Sequence, residues 1–209
     1  MPANRTVIDD SGVVRCSWGA EPEIYRRYHD DEWGRPVCSD NGLLEKLCLE
    51  GFQSGLSWLT ILRKRDAFRA AFADFDPVTV AGFDEPDVER LLGDAGIVRH
   101  RGKIESTINN ARRCVELIDE FGGLAAFVAG YRPEAAVRPT TLTWDWLAQN
   151  STTAESTALA KELKRRGWSY VGPTTVYAFM QAVGLVNDHL DTCFARAPTQ
   201  RAQAEWDAY

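Results

Sequence analysis

Long apolar runs are missing from this chain of 209 residues. No stretch approaches the ~20 consecutive apolar residues that a membrane-spanning helix needs. Met1 through Ser11 is polar and lacks the apolar core of a signal peptide. No membrane partner is expected, and a cytoplasmic or nucleoid location is the default. Internal repeats and low-complexity segments are absent as well. β-branched runs are short and never alternate with polar residues, so strands are not expected and an all-α fold is. Cysteine is sparse and odd in number, five in all. That count does not suit a disulfide framework, and it favours reduced thiols or metal ligands. Positive charge is also short, with a net charge of -6. This weighs weakly against a nucleic-acid partner, because such binding needs a local basic face rather than a basic protein.

Amphipathic periodicity is what the sequence does have. Asp40 is placed to cap a helix through Leu43, Leu44, Leu47 and Cys48, and Gly51 and Gly55 interrupt it. A second periodic run goes from Trp58 to Phe72. Asp84-Glu85-Pro86 starts a short helix that ends at Gly93 and Gly96. A long helix spans about Lys103 to Phe121, another Ala154 to Arg166, and a last one Thr174 to Val183. Arg132 to Thr143 reads as a loop, and Ala197 to Tyr209 as a polar tail that frays. The expected divisions are an N-terminal extension (1–14), one helical domain (15–195) and the tail (196–209).

Only three histidines occur, and two of them stand near cysteines: Cys16 with His29, and His189 with Cys193. The last pair has the spacing of one helical turn. Two Cys and two His would make a closed tetrahedral set, as structural zinc prefers. The two halves lie far apart in sequence, which is not a local zinc-finger pattern, so by spacing alone core cysteines and surface histidines are the favoured reading.

Between Lys161 and His189 the pattern is helix, basic turn, Tyr170-Val171-Gly172-Pro173-Thr174, then helix. In a hairpin of this kind, free N–H groups at the second helix start can take a DNA phosphate. Gly172 would allow close approach, and Lys164, Arg165 and Arg166 would add attraction independent of base sequence. A hairpin that merely packs two helices remains open. Further basic clusters, Arg63-Lys64-Arg65 and Arg99-His100-Arg101 with Lys103, read more readily as solvated helix faces when taken singly.

Aromatic residues concentrate at Trp18, Tyr25, Tyr28 and Trp33, and again around Glu50-Gly51-Phe52-Gln53-Ser54-Gly55-Leu56-Ser57-Trp58. A nucleobase drawn out of a duplex needs flat faces on each side and a hydrogen-bonding group at its edge. A cationic base gains roughly 0.5–2 kcal/mol more from stacked rings. Core filling is the alternative for any single tryptophan.

Taken in order, several segments resemble the DNA-3-methyladenine glycosylase I family. They are Cys16-x-Trp18, Tyr28-His29-Asp30-x-Glu32-Trp33-Gly34, Leu49-Glu50-Gly51-x-Gln53-x-Gly55-Leu56-Ser57-Trp58, Asp94-Ala95-Gly96-Ile97-x-Arg99-His100-Arg101-x-Lys103, and Val171-Gly172-x-Thr174 with Asn187-Asp188-His189. They cover about residues 16 to 194. The resemblance implies a helix-hairpin-helix glycosylase fold with one structural zinc on Cys16, His29, His189 and Cys193, joining the two ends. It implies base recognition by Glu50, with Trp18, Tyr28 and Trp58 stacking and Tyr25 nearby. Gly55-Leu56 would press into the duplex where the base has left. The implied partner is double-stranded DNA with alkylated bases, acted on by a monomer that releases free 3-methyladenine. Asp188 stands near the place where many helix-hairpin-helix glycosylases keep a catalytic Asp. Beside His189 it reads as structural, and Glu50 is preferred as the important carboxylate. No lysine is marked as a Schiff-base nucleophile, so no strand cleavage is expected. A non-catalytic DNA-binding module and a zinc hydrolase are the rival readings. The second is disfavoured because four protein ligands leave no open metal position.

Overall fold

The structure is a computed structural model, and residues 5–209 are described in it. The first four residues of the expected N-terminal extension therefore lie outside the described residues. Helices dominate. In chain order they are α1 (Glu23–Arg27), α2 (Asp40–Gln53), α3 (Trp58–Ala71), α4 (Pro77–Ala81), α5 (Glu85–Gly93) and α6 (Arg101–Phe121). Then follow α7 (Leu124–Ala129), α8 (Trp144–Gln149), α9 (Ala154–Arg165), α10 (Pro173–Ala182) and α11 (Arg196–Ala202).

Side-chain caps set many of the starts. Thr153 and Ser156 form a reciprocal capping box at α9, and Asp84 and Asp87 another at α5. Asp40 does not cap α2, contrary to expectation. Ser39 does so, and the Asp40 carboxylate accepts the N–H of Leu124 at 2.7 Å, at the start of α7. A residue capping another element leaves no trace in local spacing.

The strand expectation also fails at one place. Thr6–Ile8 (β1) and Val14–Cys16 (β2) pair antiparallel around a turn at Gly12, held by Asp9, which accepts from the Ser11 and Val13 N–H groups. Three-residue strands are too short to show alternation.

Helix α2 lies at the centre, packed against α3, α6, α7 and α10. Every residue from Leu43 to Phe52 is buried, the mark of a helix covered on all sides. It nevertheless carries three acidic or basic side chains in that stretch, and a buried charge needs a partner. Glu45 has one, a two-point ion pair with Arg69 at 2.9 and 3.0 Å. Lys46 has one in Glu32 at 3.4 Å, which Arg65 also grips. For the third, Glu50, no donor is found among the described residues.

The C-terminal segment is not a fraying tail. After α11 the chain makes a 3-10 stretch, Gln203–Ala208. It docks on the core through Trp206, whose indole N–H donates to the Val183 carbonyl, and Gln203, which donates to the Gly184 carbonyl. Gly184 sits at φ +77°, and a Cβ there would lie 2.6 Å from the Gly34 carbonyl, so glycine alone fits this junction. One aromatic among polar neighbours makes no periodic signal, yet it is nearly all that docking needs. Trp206→Ala should lower stability by about 3–5 kcal/mol in urea melts, the cost of truncating a buried Trp.

Candidate active site

Glu50 stands in the last turn of α2 and opens into a cavity of about 310 Å³. Trp18, Tyr28, Trp33 and Trp58 form its aromatic walls, and Trp144, Leu147 and Gln181 close it from α8 and α10. Tyr28 and Trp58 meet with ring centroids 5.4 Å apart, and Trp18 meets Trp33 edge-on at 4.9 Å. The indole N–H of Trp58 is buried and meets no acceptor among the described residues. Burial pushes the Glu50 carboxyl up to about 8, against the opposing charge of Lys46 one turn earlier. Lys46 itself lies 4.9 Å from the Tyr28 ring centre. The ring is thereby braced by a cation that Glu32, itself gripped by Arg65, holds in place.

Four of the expected contacts, Glu50, Trp18, Tyr28 and Trp58, are thus together in one cavity. Tyr25 is not on its wall. It packs edge-on behind Trp18, at 6.0 Å. Trp144 and Gln181 were not expected. Helix α8 is too short to show periodicity, and nothing local distinguishes Gln181 from a solvated helix residue.

The second cluster begins one residue from the first. Residues Tyr28–Glu32 form a single π-helical turn in which neighbours Tyr28 and His29 are both buried. Tyr28 enters the cavity, while the His29 Nε2 lies 3.5 Å from the Cys193 Sγ. Cys16, His29 and Cys193 place one donor atom each within 4.8 Å of one another. A Cβ on Gly19 would fall 2.4 Å from the His29 ring, so this packing depends on glycine. The other His29 nitrogen meets Asp30 at 2.7 Å, and Arg15 holds Asp30 in turn at 2.9 Å. Metal-bound histidines are usually oriented by such a carboxylate. Hydrogen bonding between the two sulfurs holds the Cys193 thiol down and pushes the Cys16 thiol up, so the pair shares a proton that a bound metal would displace.

His189 does not join the three. Its Nδ1 meets Asn187 at 3.0 Å and its Nε2 meets the His29 carbonyl at 3.3 Å. Nor do His189 and Cys193 share a helical turn, because residues 187–195 form loops and turns. Its ring centre is still only 4.8 Å from that of His29. Burial pushes its pKa down to about 3, so the imidazole is neutral, as a ligand must be. Two thiols, one oriented imidazole and a neutral second imidazole beside them have the chemistry of a structural zinc set.

Asp188 is not free to act as a base. Its carboxylate accepts from Tyr177 Oη at 2.7 Å, from Gln181 Nε2 at 2.6 Å and from Arg138.

Beyond the cavity, Gly55 (φ +82°) and Leu56 sit exposed on the turn between α2 and α3. Lys103 braces that turn, donating to the Phe52 and Ser54 carbonyls at 2.8 and 2.6 Å. The hairpin joining α9 to α10 forms as expected. Gly172 is the N-cap of α10, and a Cβ there would meet nothing within 4 Å. Packing within the protein therefore does not require glycine here, and the space outside the helix start is open. The basic clusters are less free than the sequence suggests. Arg165 is held by Glu162 at 2.6 Å, Arg166 by Glu120 and Glu162, and Arg101 by Glu85. Lys164 is exposed and has no carboxylate partner among the described residues. A larger cavity of about 450 Å³, lined by Arg138 and Arg196, lies elsewhere, and ion pairs already occupy both guanidinium groups. No helix among the described residues is long and apolar enough to cross a membrane.

A central buried helix that ends at an unpaired carboxylate, inside an aromatic box beside an exposed turn and a two-helix hairpin, defines a helical protein built to hold a flat polar ring. The chain belongs to the methyladenine glycosylase family, whose model matches residues 18–196. It is 47% identical over 184 residues to DNA-3-methyladenine glycosylase 1 of Escherichia coli (strain K12), covering 87% of this chain and 96% of that one. Among solved structures, 3-methyladenine DNA glycosylase I superposes with a TM-score of 0.78 at 46% identity, over 86% of this chain and 98% of the other. A variant of 3-methyladenine DNA glycosylase I in complex with 3-methyladenine superposes with a TM-score of 0.75 at 34% identity, over 87% and 97%.

Proposed function

We infer that this chain excises 3-methyladenine from alkylated DNA by hydrolysing its N-glycosidic bond. The observation that carries the reading is Glu50, a buried carboxylate with no donor of its own at the edge of an aromatic cavity. Such a group is costly until something with N–H donors and positive charge enters. A base methylated at N3 brings both. Trp18, Tyr28 and Trp58 supply stacking faces, with a cation–π gain of about 0.5–2 kcal/mol. Unmodified adenine is neutral and gains less on each count.

The methylated base already carries the positive charge that acid catalysis would otherwise provide. Water attacks C1′, the bond to N9 breaks, and its electron pair returns to the ring. The base leaves neutral, an abasic site remains, and the water's proton goes to solvent. Flipping, orienting and holding the base is then most of the enzyme's task. Asp188 takes no part, since its carboxylate is occupied three times. We propose a single excision step without strand cleavage, carried out by a monomer on duplex DNA through residues 15–195.

For the duplex, the proposal gives Leu56 and Gly55 the place vacated by the base, and gives Gly172 and Lys164 the phosphates. Arg165 contributes only after leaving Glu162. A structural zinc on Cys16, His29 and Cys193, with His189 turning in as fourth ligand, would pin the N-terminal arm to the body. When bound, it supplies cross-linking and no chemistry. Incubation with methylated duplex should release free 3-methyladenine and leave intact strands that break on alkali. Leu56→Ala separates the two surfaces. It should lower kcat/KM on duplex about tenfold or more while leaving affinity for free 3-methyladenine unchanged by tryptophan fluorescence.

A further inference from the structure

Gln181 is a polar cavity residue whose orientation, unlike that of Glu50, its neighbours dictate. It projects from α10 onto the cavity wall, and its side chain meets Asp188 Oδ2 at 2.6 Å. Which end of the amide points there follows from counting protons. Arg138 donates to Asp188 Oδ1, and also to the Tyr177 hydroxyl oxygen at 3.1 Å. The tyrosine proton must therefore point at Asp188 Oδ2, 2.7 Å away. That oxygen accepts only, so the amide reaches it through Nε2. Turning the amide over would set two oxygens face to face with no proton between them. The Gln181 carbonyl oxygen is left as an acceptor that no donor meets among the described residues.

We propose that Gln181 is a second specificity-determining residue of the base cavity, its Oε1 held by Asp188 to accept a hydrogen bond from an exocyclic amine. The proposal rests on the reading of the cavity as a base pocket and deepens it. Glu50 alone selects positive charge, which 3-methyladenine and 3-methylguanine share. The two differ at C6, where adenine carries an NH₂ donor and guanine a carbonyl acceptor. Two oxygens, one from Glu50 and one from Gln181, match the two hydrogens of the adenine amine. Guanine would set its O6 against them with no proton to share, and unmatched polar groups in a closed site discriminate strongly. Asp188 is then a positioning residue. It aims Gln181 and does not touch the base.

The test is competitive excision from one methylated duplex containing both bases, read by mass spectrometry, for the natural protein and Gln181→Met. Methionine keeps the length of the side chain and removes the acceptor. The variant should lose about tenfold in kcat/KM for 3-methyladenine while 3-methylguanine, relieved of the facing oxygen, is excised faster, so the preference ratio falls about tenfold or more. A residue that merely packs would lower both rates together, and an unchanged ratio would overturn the proposal. Should the variant not fold, side-chain NMR of the natural protein decides. Adding free 3-methyladenine should shift the Gln181 carbonyl carbon while its NH₂ stays bonded to Asp188, and no shift would refute the assignment. If the natural protein releases neither base, the pocket reading itself fails, and this proposal with it.

Discussion

Glu50→Gln should lower kcat/KM for 3-methyladenine excision about a hundredfold, or about 2.7 kcal/mol of transition-state stabilisation. The amide keeps the shape and one acceptor but loses the charge, and charge-assisted hydrogen bonds carry most of such a contact in a dry site. The pH profile should change with it. In the free protein burial raises the Glu50 carboxyl to about 8. A cationic base binds best to the ionised form, so natural kcat/KM should climb with pH through about 8 and then level off, since this parameter reports the free enzyme. Glu50→Gln should show no such limb. Stability runs the other way. Because the folded pKa lies above the unfolded one, the folded state holds its proton more tightly, and that advantage is lost as pH rises toward and through about 8. At pH 9 the variant should melt higher than the natural protein, and at pH 4 about the same. A flat natural profile, or equal melting at pH 9, would contradict the assignment.

Cys193→Ala should abolish stoichiometric zinc and lower the melting temperature by roughly 10–15 °C. That range corresponds to a loss of several kcal/mol in a domain of this size. Three buried donors converge at this point from β2, the π turn after α1 and the loop before α11. Removing a ligand separates the N-terminal arm from the body and leaves a thiol and an imidazole buried without their partner. The pocket feels this through the chain, since Trp18 follows Cys16 by two residues and Tyr28 precedes His29. At 25 °C the excision loss should nevertheless be smaller than that of Glu50→Gln, and it should steepen on warming. Atomic absorption and calorimetry on the same samples check both parts. A natural protein that purifies without zinc and melts unchanged by chelators would contradict the clasp.

The long helices were legible because their signals are local. Capping pairs and periodic apolar residues mark α5, α6, α9 and α10, and the Glu50-to-Trp58 segment shows as a dense run of glycine and aromatics. What escaped was long-range or short. Asp40 caps a helix 84 residues away. The strand pair spans three residues on each side, α8 has fewer than two full turns, and Trp206 docks alone among polar neighbours. The basic clusters misled for the opposite reason. Arg65, Arg101 and Arg166 look free in sequence, but folding brings Glu32, Glu85 and Glu120 onto them. The spacing of His189 and Cys193 presumes a helical turn, whereas the backbone there forms loops and turns. Gln181 has no sequence signal, because its role comes from the proton count around Asp188.

The central claim is that Glu50, unpaired in an aromatic cavity, is there to hold a cationic methylated base while its glycosidic bond breaks. Single-turnover excision from methylated duplex, by the natural protein and Glu50→Gln side by side with free bases identified by mass spectrometry, tests it most directly. Rapid release of 3-methyladenine by the natural protein and release about a hundredfold slower by the variant is the predicted result. Duplex binding without base release, or equal rates for the two proteins, would contradict it.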